Sequence, residues 1–310
     1  MLPEFHRDLL ADTFRTDAYR AAIRSVVTRD SVVLDLGTGT GILSFFACEA
    51  GARRVFAVEE GDAGVASMLA QHVGLSDRVE IIHARSTQVE LPERAHVLVT
   101  ETLGVFGLDE HILSSVIDAR ARLLVPDAAI IPCRLALCLA PVETASLYAQ
   151  QVAWWDERRY GFDLSPMRTL ASNRLCLADA NPSGFLAPPA TVIDVDLAAA
   201  SSSIVSGTTR FEMTRGGELH GFIGWFTATL IQGVTLSNDT AGRTHWDQLF
   251  LPLEHPVEVR AGDAIDLALK SFDGDVWVWG GTIESNGRTT TFSQSTMFGA
   301  PPNAAGPPRK

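Results

Sequence analysis

Three glycines in five residues, Gly37, Gly39 and Gly41, follow the apolar run 31–36 in the stretch LDLGTGTGILS. Glycine permits a sharp turn and lets a ligand approach the backbone closely, so this punctuation carries chemistry. Two carboxylates flank it. Asp35 lies just before the turn. Glu59 ends the next apolar run, about 20 residues on, where a carboxylate can accept both hydroxyl protons of a ribose. A dinucleotide fingerprint spaces its glycines as G-x-G-x-x-G and seats a pyrophosphate on the helix N-terminus. Here the spacing is G-x-G-x-G, and Asp35 would repel a pyrophosphate while suiting the ammonium of an amino-acid cofactor. Charge and spacing together favour S-adenosylmethionine over a nicotinamide dinucleotide.

The elements that must position these residues alternate. Residues 6–27 predict one helix, because Leu9, Leu10, Phe14, Ala18 and Ala22 recur at helical spacing. Residues 31–36 predict a buried strand, 42–50 a helix closed by Gly51, and 53–58 a second strand ending at Glu59. A helix and strands at 79–83 and 96–100 follow, and this rhythm predicts a parallel sheet with helices on both faces. After Pro132 come short alternating stretches at 136–139, 191–197, 221–230 and 264–269, which predict an antiparallel barrel or sandwich. Residues 147–170, between the first two, read as a helical aromatic segment. The expected fold is α/β: a Rossmann-like domain over 1–132, then a β-barrel-like domain over 133–298 with an inserted arm at about 147–190. The Pro-, Gly- and Ala-rich tail, 299–310, is expected to be disordered.

Several stretches of the sequence resemble the protein arginine methyltransferases, and the match runs nearly end to end. VVLDLGTGTGILSFFACEAGARRVFAVE resembles the first motif of that family, through Glu59. HVLVTETLGVFGLDEHIL resembles its double-glutamate hairpin, with Glu101 and Glu110 nine residues apart. LLVPDAAIIPCR resembles the crossover that carries a cis proline, here Pro132. WWDERRYGFDLS resembles the start of a dimerisation arm, THW at 244–246 resembles the active-site loop, and HRDLLADTFRTDAYR resembles the helix before the first strand. The resemblance implies a class I methyltransferase domain followed by an antiparallel β-barrel, assembled as a homodimer. It implies that Arg15 binds the cofactor carboxylate, and that Asp35, Gly37, Gly39, Gly41, Glu59, Ser86 and Thr87 surround S-adenosylmethionine. It implies that Glu101 and Glu110 are catalytic, that His245 pairs with Asp12 across the domain boundary, and that Trp246 and Leu9 line the substrate site.

These residues suit the reaction. A guanidinium is a poor nucleophile because its lone pairs are delocalised and it stays protonated. Two carboxylates can accept its N–H bonds, orient it, and draw positive charge toward the nitrogens they touch, which returns lone-pair character to the remaining one. His245 could relay the released proton, and the face of Trp246 could attract the cation. Plainer roles stand beside these. Asp12, Arg15 and Tyr19 share a helical face and could be a surface row, Glu110 could be a helix-start charge, and Trp246 could be core.

The sequence also departs from the family. Only residues 1–5 precede the first aligned helix, whereas the family carries a further aromatic helix over the cofactor; a more open site, or one covered by another segment or subunit, is expected. Thr87 replaces a glutamate that contacts adenine, which leaves that task to the Ser86 backbone. Thr102, Leu103, Val105 and Asp109 replace larger residues that shape the substrate tunnel. The altered tunnel favours methylation of free arginine or a small guanidine in specialised-metabolite biosynthesis. The alternative is methylation of arginine side chains in proteins or peptides. A catalytically inactive cofactor-binding module is a third reading, against which the glutamate pair and THW argue.

The net charge of −12 and pI near 5.1 argue against a nucleic-acid partner and suit a cationic substrate, although acidity also serves ordinary solubility. No apolar run reaches membrane-spanning length and the N-terminus has no secretory pattern, so a cytoplasmic protein with no membrane partner is expected. Cys48, Cys133, Cys138 and Cys176 form no C-x-x-C pair, so reduced thiols and no metal are expected.

Overall fold

The helix expected over 6–27 is two helices, α1 (Pro3–Ala11) and α2 (Thr13–Val26). Asp12 separates them. Its side chain accepts the Arg15 N–H at 2.9 Å, an N-cap that starts a new helix while the apolar spacing runs on unbroken. α2 buries Arg15, Tyr19, Ala22 and Ile23 along one face. The computed structural model describes residues 3–241 and 244–297, and the tail 299–310 lies outside them.

Next come β1 (Val32–Leu36), α3 (Ile42–Ala50), β2 (Arg54–Glu59), α4 (Ala63–His72), β3 (Val79–His83), β4 (Ala95–Thr100), α5 (Ile112–Arg122) and β5 (Leu124–Ile131). The strands form one parallel sheet of order β3-β2-β1-β4-β5. β1 is buried along its whole length, as an inner parallel strand must be. The chain extends the sheet to one side through β2 and β3, then to the other through β4 and β5. The switch point therefore lies at the carboxyl ends of β1 and β4, where such sheets bind ligands. Register sharpens this: Leu36 pairs with both Val58 and Thr100, so Gly37, Glu59 and Glu101 leave the sheet at one level. The Thr100 hydroxyl donates to the Leu36 carbonyl at 3.0 Å and pins the two strand ends together.

A cis peptide joins Ile131 to Pro132 and leads into β6 (Arg134–Val142). Then follow α6 (Ala145–Gln151), α7 (Met167–Ser172), β7 (Cys176–Ala178), β8 (Ala190–Asp196), β9 (Ile204–Glu212), β10 (Gly217–Ile231), β11 (Val234–Ser237), β12 (Gln248–Val259), β13 (Ala264–Phe272), β14 (Val276–Ser285) and β15 (Arg288–Ser295). One sheet has the order β7-β12-β10-β6-β8 with β11 on β10, and another has the order β15-β14-β13-β9. The aromatic core of this half includes Phe222, with Phe211 and Phe292 at 6.2 and 5.9 Å, and Trp279, which donates to the Pro252 carbonyl. The segment 147–170 is not one helix. Tyr160 and Gly161 take left-handed φ values of 52° and 86°, while Arg159 and Phe162 exchange backbone hydrogen bonds, so a tight turn interrupts it.

The chain divides into two compact units. The first holds Met1–Leu137, Asp194–Ser203 and Trp225–Asp247; the second holds Cys138–Ile193, Ile204–Gly224 and the chain from Gln248 onward. A boundary at 132/133 thus omits a late return. β11 pairs with the end of β10, and both belong to the first unit together with the THW loop.

Candidate active site

The glycine turn follows β1. The Gly37 and Thr38 N–H groups donate to the Val58 carbonyl, and Gly37, Gly39 and Gly41 all have positive φ. A Cβ on Gly37 would lie 2.7 Å from the Thr102 methyl, so only glycine lets the turn lie against the start of the 101–110 segment. Glu59 braces the turn, accepting the Gly39 N–H at 2.9 Å and the Gly61 N–H at 2.7 Å. Each of its oxygens keeps a lone pair, so the carboxylate can still receive two hydroxyls.

Asp35 is fully buried. Its Oδ2 accepts the Thr38 and Ser44 hydroxyls at 2.7 and 2.6 Å, while Oδ1 has no hydrogen-bond partner among the described residues. Burial raises this carboxyl to about 6, against the pull of those hydroxyls. A buried, unpartnered carboxylate oxygen beside a glycine turn fits an ammonium group, and with Glu59 it fits an aminoacyl nucleoside such as S-adenosylmethionine. Thr38, Ser44 and His6 were not singled out from the sequence. The hydroxyls orient Asp35, and His6 of α1 lies over the turn, 3.8 Å from where a Gly39 Cβ would stand. The signal for the first two was a pair of polar residues within an otherwise apolar strand–turn–helix; His6 left none.

Glu101 follows β4 with most of its side chain buried, and it forms an ion pair with Arg15. Arg15 also donates to the Leu9 carbonyl at 2.7 Å, and its guanidinium carbon stands 6.0 Å from the centre of the Trp246 ring. Burial raises Glu101 to about 7; the Arg15 charge opposes this and Glu110 adds to it. Glu110 stays accessible to solvent, yet partial desolvation, then the like charges of Asp109 and Glu59, raise its carboxyl too. The two glutamates therefore lie within electrostatic reach of one another and of the glycine turn.

Asp12 joins the same site. Its Oδ2 accepts the His245 backbone N–H at 2.9 Å and faces His245 Nδ1 at 2.8 Å. Burial pulls the Asp12 carboxyl up, but the Arg15 and His245 hydrogen bonds outweigh it and the net shift is downward. Burial, helped by the Arg15 charge, lowers the His245 pKa against the opposing pull of Asp12. A neutral imidazole facing an ionised carboxylate must carry its proton on Nδ1, which leaves the lone pair on Nε2. Both residues lie in the first unit, so this pair does not cross the boundary between units.

The chain is similar to known methyltransferases along most of its length. A description of the arginine methyltransferase oligomerization subdomain matches residues 134–277, and one of ribosomal protein L11 methyltransferase (PrmA) matches residues 16–131. Protein arginine N-methyltransferase 6 of Xenopus laevis is 34% identical over 289 residues, covering 86% of this chain and 84% of its own. Protein arginine N-methyltransferase 1 of Schizosaccharomyces pombe is 32% identical, covering 84% and 79%. The chain belongs to the protein arginine N-methyltransferase family. Solved structures of the family share its fold. The Trypanosoma brucei PRMT1 enzyme–prozyme heterotetrameric complex with AdoHcy superposes with a TM-score of 0.85 at 26% identity, covering 94% of this chain and 96% of that one. Arabidopsis thaliana protein arginine methyltransferase 10 superposes with a TM-score of 0.80 at 26% identity, covering 95% and 97%.

This arginine methyltransferase therefore uses S-adenosylmethionine, which supplies an electrophilic methyl group when bound. Asp35, the glycine turn and Glu59 are the residues that fit it. Two further expected cofactor ligands follow β3, whose last residue pairs with Glu59. Thr87 is exposed, and the Ser86 carbonyl is engaged by Arg122 at 3.2 Å, both in the 3-10 turn after β3. Arg15, expected on the cofactor carboxylate, is found on Glu101.

Proposed function

We infer that this methyltransferase acts on arginine side chains of proteins or peptides. The observation that carries the reading is that Glu101 already holds a guanidinium, that of Arg15, whose carbon lies 6.0 Å from the Trp246 ring centre. A substrate guanidinium meets the same chemistry: carboxylates on its N–H edge and an aromatic face nearby. Glu101 and Glu110 orient it and hold its charge on the nitrogens they touch. The Arg15 charge favours the ionised form of Glu101 and partly opposes burial. His245 Nε2 is the base for the proton released when the nitrogen takes the methyl group.

Methylation of free arginine, expected from the slimmed 101–110 segment, lacks comparable support, because the relatives are named for protein arginine. The two readings separate in one assay. Labelled S-adenosylmethionine is incubated with free L-arginine or with an arginine-rich peptide. Label in peptide alone is the expected result, and label in free arginine alone overturns the protein reading.

A second copy of the chain is the assembly partner we favour. Tyr160 is 98% exposed and Phe162 69% exposed at the tip of the arm, with Arg159 stacked 3.7 Å over Trp154. An aromatic tip with that exposure gains by burial against a partner, and an isologous dimer is the simplest arrangement.

A further inference from the structure

The segment 101–110, which carries both glutamates, has no strand or helix of its own, and neither has the loop with His245 and Trp246. Backbone ladders therefore do not position them. A single buried side chain does much of that work. Asn238, 1% exposed, donates from Nδ2 to the Val105 carbonyl at 2.9 Å and to the Asp247 carbonyl at 2.7 Å. Its Oδ1 accepts the Phe226 N–H at 2.8 Å. Two acceptors and one donor fix the amide orientation, since a flip would set oxygen against two carbonyls.

The contacts land where they matter. The Val105 carbonyl belongs to the same peptide plane as the Phe106 N–H, which donates to Asp109 at 2.6 Å, so that plane is held from both edges. Asp247 directly follows Trp246. Phe226 completes the bracket: its ring meets Trp246 edge-on at 5.2 Å, and a Cβ on Gly107 would lie 2.9 Å from its own Cβ. All of these residues lie in the first unit. Val105, Asp247 and Phe226 all lie outside the Asp35, Glu59 and glycine-turn cluster.

We propose that Asn238 is a positioning residue for methyl transfer: its carboxamide sets the spacing between the double-glutamate segment and the THW loop, so that both address one guanidinium. The proposal rests on the arginine reading above. Asn238→Asp keeps the size and the acceptor for Phe226 but turns a carboxylate oxygen toward two carbonyls. Asn238→Ala leaves three backbone groups without this partner, and Asn238→Ser restores one donor.

The test is made on the full chain. Binding of S-adenosylhomocysteine, measured by calorimetry, is expected to stay within about twofold in the Asp and Ser variants, because Asn238 bonds Val105, Asp247 and Phe226 and none of the residues that fit the cofactor. At saturating cofactor, kcat/KM for an arginine peptide is expected to fall on the order of 10²-fold in Asn238→Asp, with Ser intermediate. Hydrogen exchange should quicken at 101–110 and 244–247 in Asn238→Ala and not at 34–61. A variant that binds S-adenosylhomocysteine normally and keeps its kcat/KM within about threefold overturns the proposal, as does loss of cofactor binding in step with activity. If the wild type methylates no arginine peptide, the underlying reading fails instead, while the exchange pattern still judges the positioning role.

Discussion

Acidification is expected to silence this enzyme through Glu101. Burial raises its carboxyl to about 7; the Arg15 charge pulls it down, Glu110 pushes it up, and hydrogen bonds from Arg15 and Leu103 pull it down again. A carboxylate grips a guanidinium when ionised, and a raised pKa keeps it protonated until the pH passes that value. From a midpoint of about 7, the ionised share is about one tenth at pH 6 and about nine tenths at pH 8. The expected rise in kcat/KM for an arginine peptide over that interval is about tenfold. The substrate guanidinium stays protonated throughout and adds no titration. His245, held below its usual 6.5 by burial, adds a loss only at the acid end. Initial rates of label transfer at saturating cofactor, from about pH 5.5 to about 8.5, would trace the curve. A flat profile, or a midpoint at the ordinary glutamate value of 4.5, would refute the assignment of a buried Glu101 as the grip.

Three further outcomes follow from the same geometry. Burial raises Asp35 from 3.8 to about 6, so the native state is fully favoured below the lower value and loses up to about 3 kcal/mol as pH rises through the upper one. Asp35→Asn should raise the melting temperature at pH 8 but not at pH 4 and should weaken S-adenosylhomocysteine binding; equal melting curves at both pH values would count against this. Asp12→Ala removes the α2 cap and the anchor of His245, and should cost about 1 kcal/mol or more in chemical denaturation. An unchanged denaturation midpoint would contradict it. Replacing Tyr160 and Phe162 together by Asp should halve the mass seen by light scattering, and a wild type that is already monomeric would remove the reason for the exposed arm.

Much of the first half was legible in the sequence because its signals are local. The glycine turn, the buried β1 run and the alternation to β4 all lie within a few residues of one another, and the residues they present leave the sheet at one level. The break at Asp12 was not legible, since apolar spacing passes through a cap that only one hydrogen bond reveals. The turn at Tyr160 hid within an aromatic run whose composition suited a helix. The return of Trp225–Asp247 to the first unit depends on long-range pairing that no local pattern carries. Arg15 shows the same limit at the site. Resemblance implies a cofactor carboxylate as its ligand; its pairing with Glu101, 86 residues away, is carried by no local pattern. Asn238 is harder still: a single Asn in a polar loop reads as a turn residue until its three backbone partners are seen.

Amino-acid analysis of an arginine peptide, recovered after incubation with methyl-labelled S-adenosylmethionine, tests the central claim most directly. Label is expected on an arginine guanidino nitrogen with the wild-type chain, and none with Glu101→Gln or Glu110→Gln at unchanged S-adenosylhomocysteine affinity. Label on another residue type, or on arginine with both glutamine variants, would contradict it.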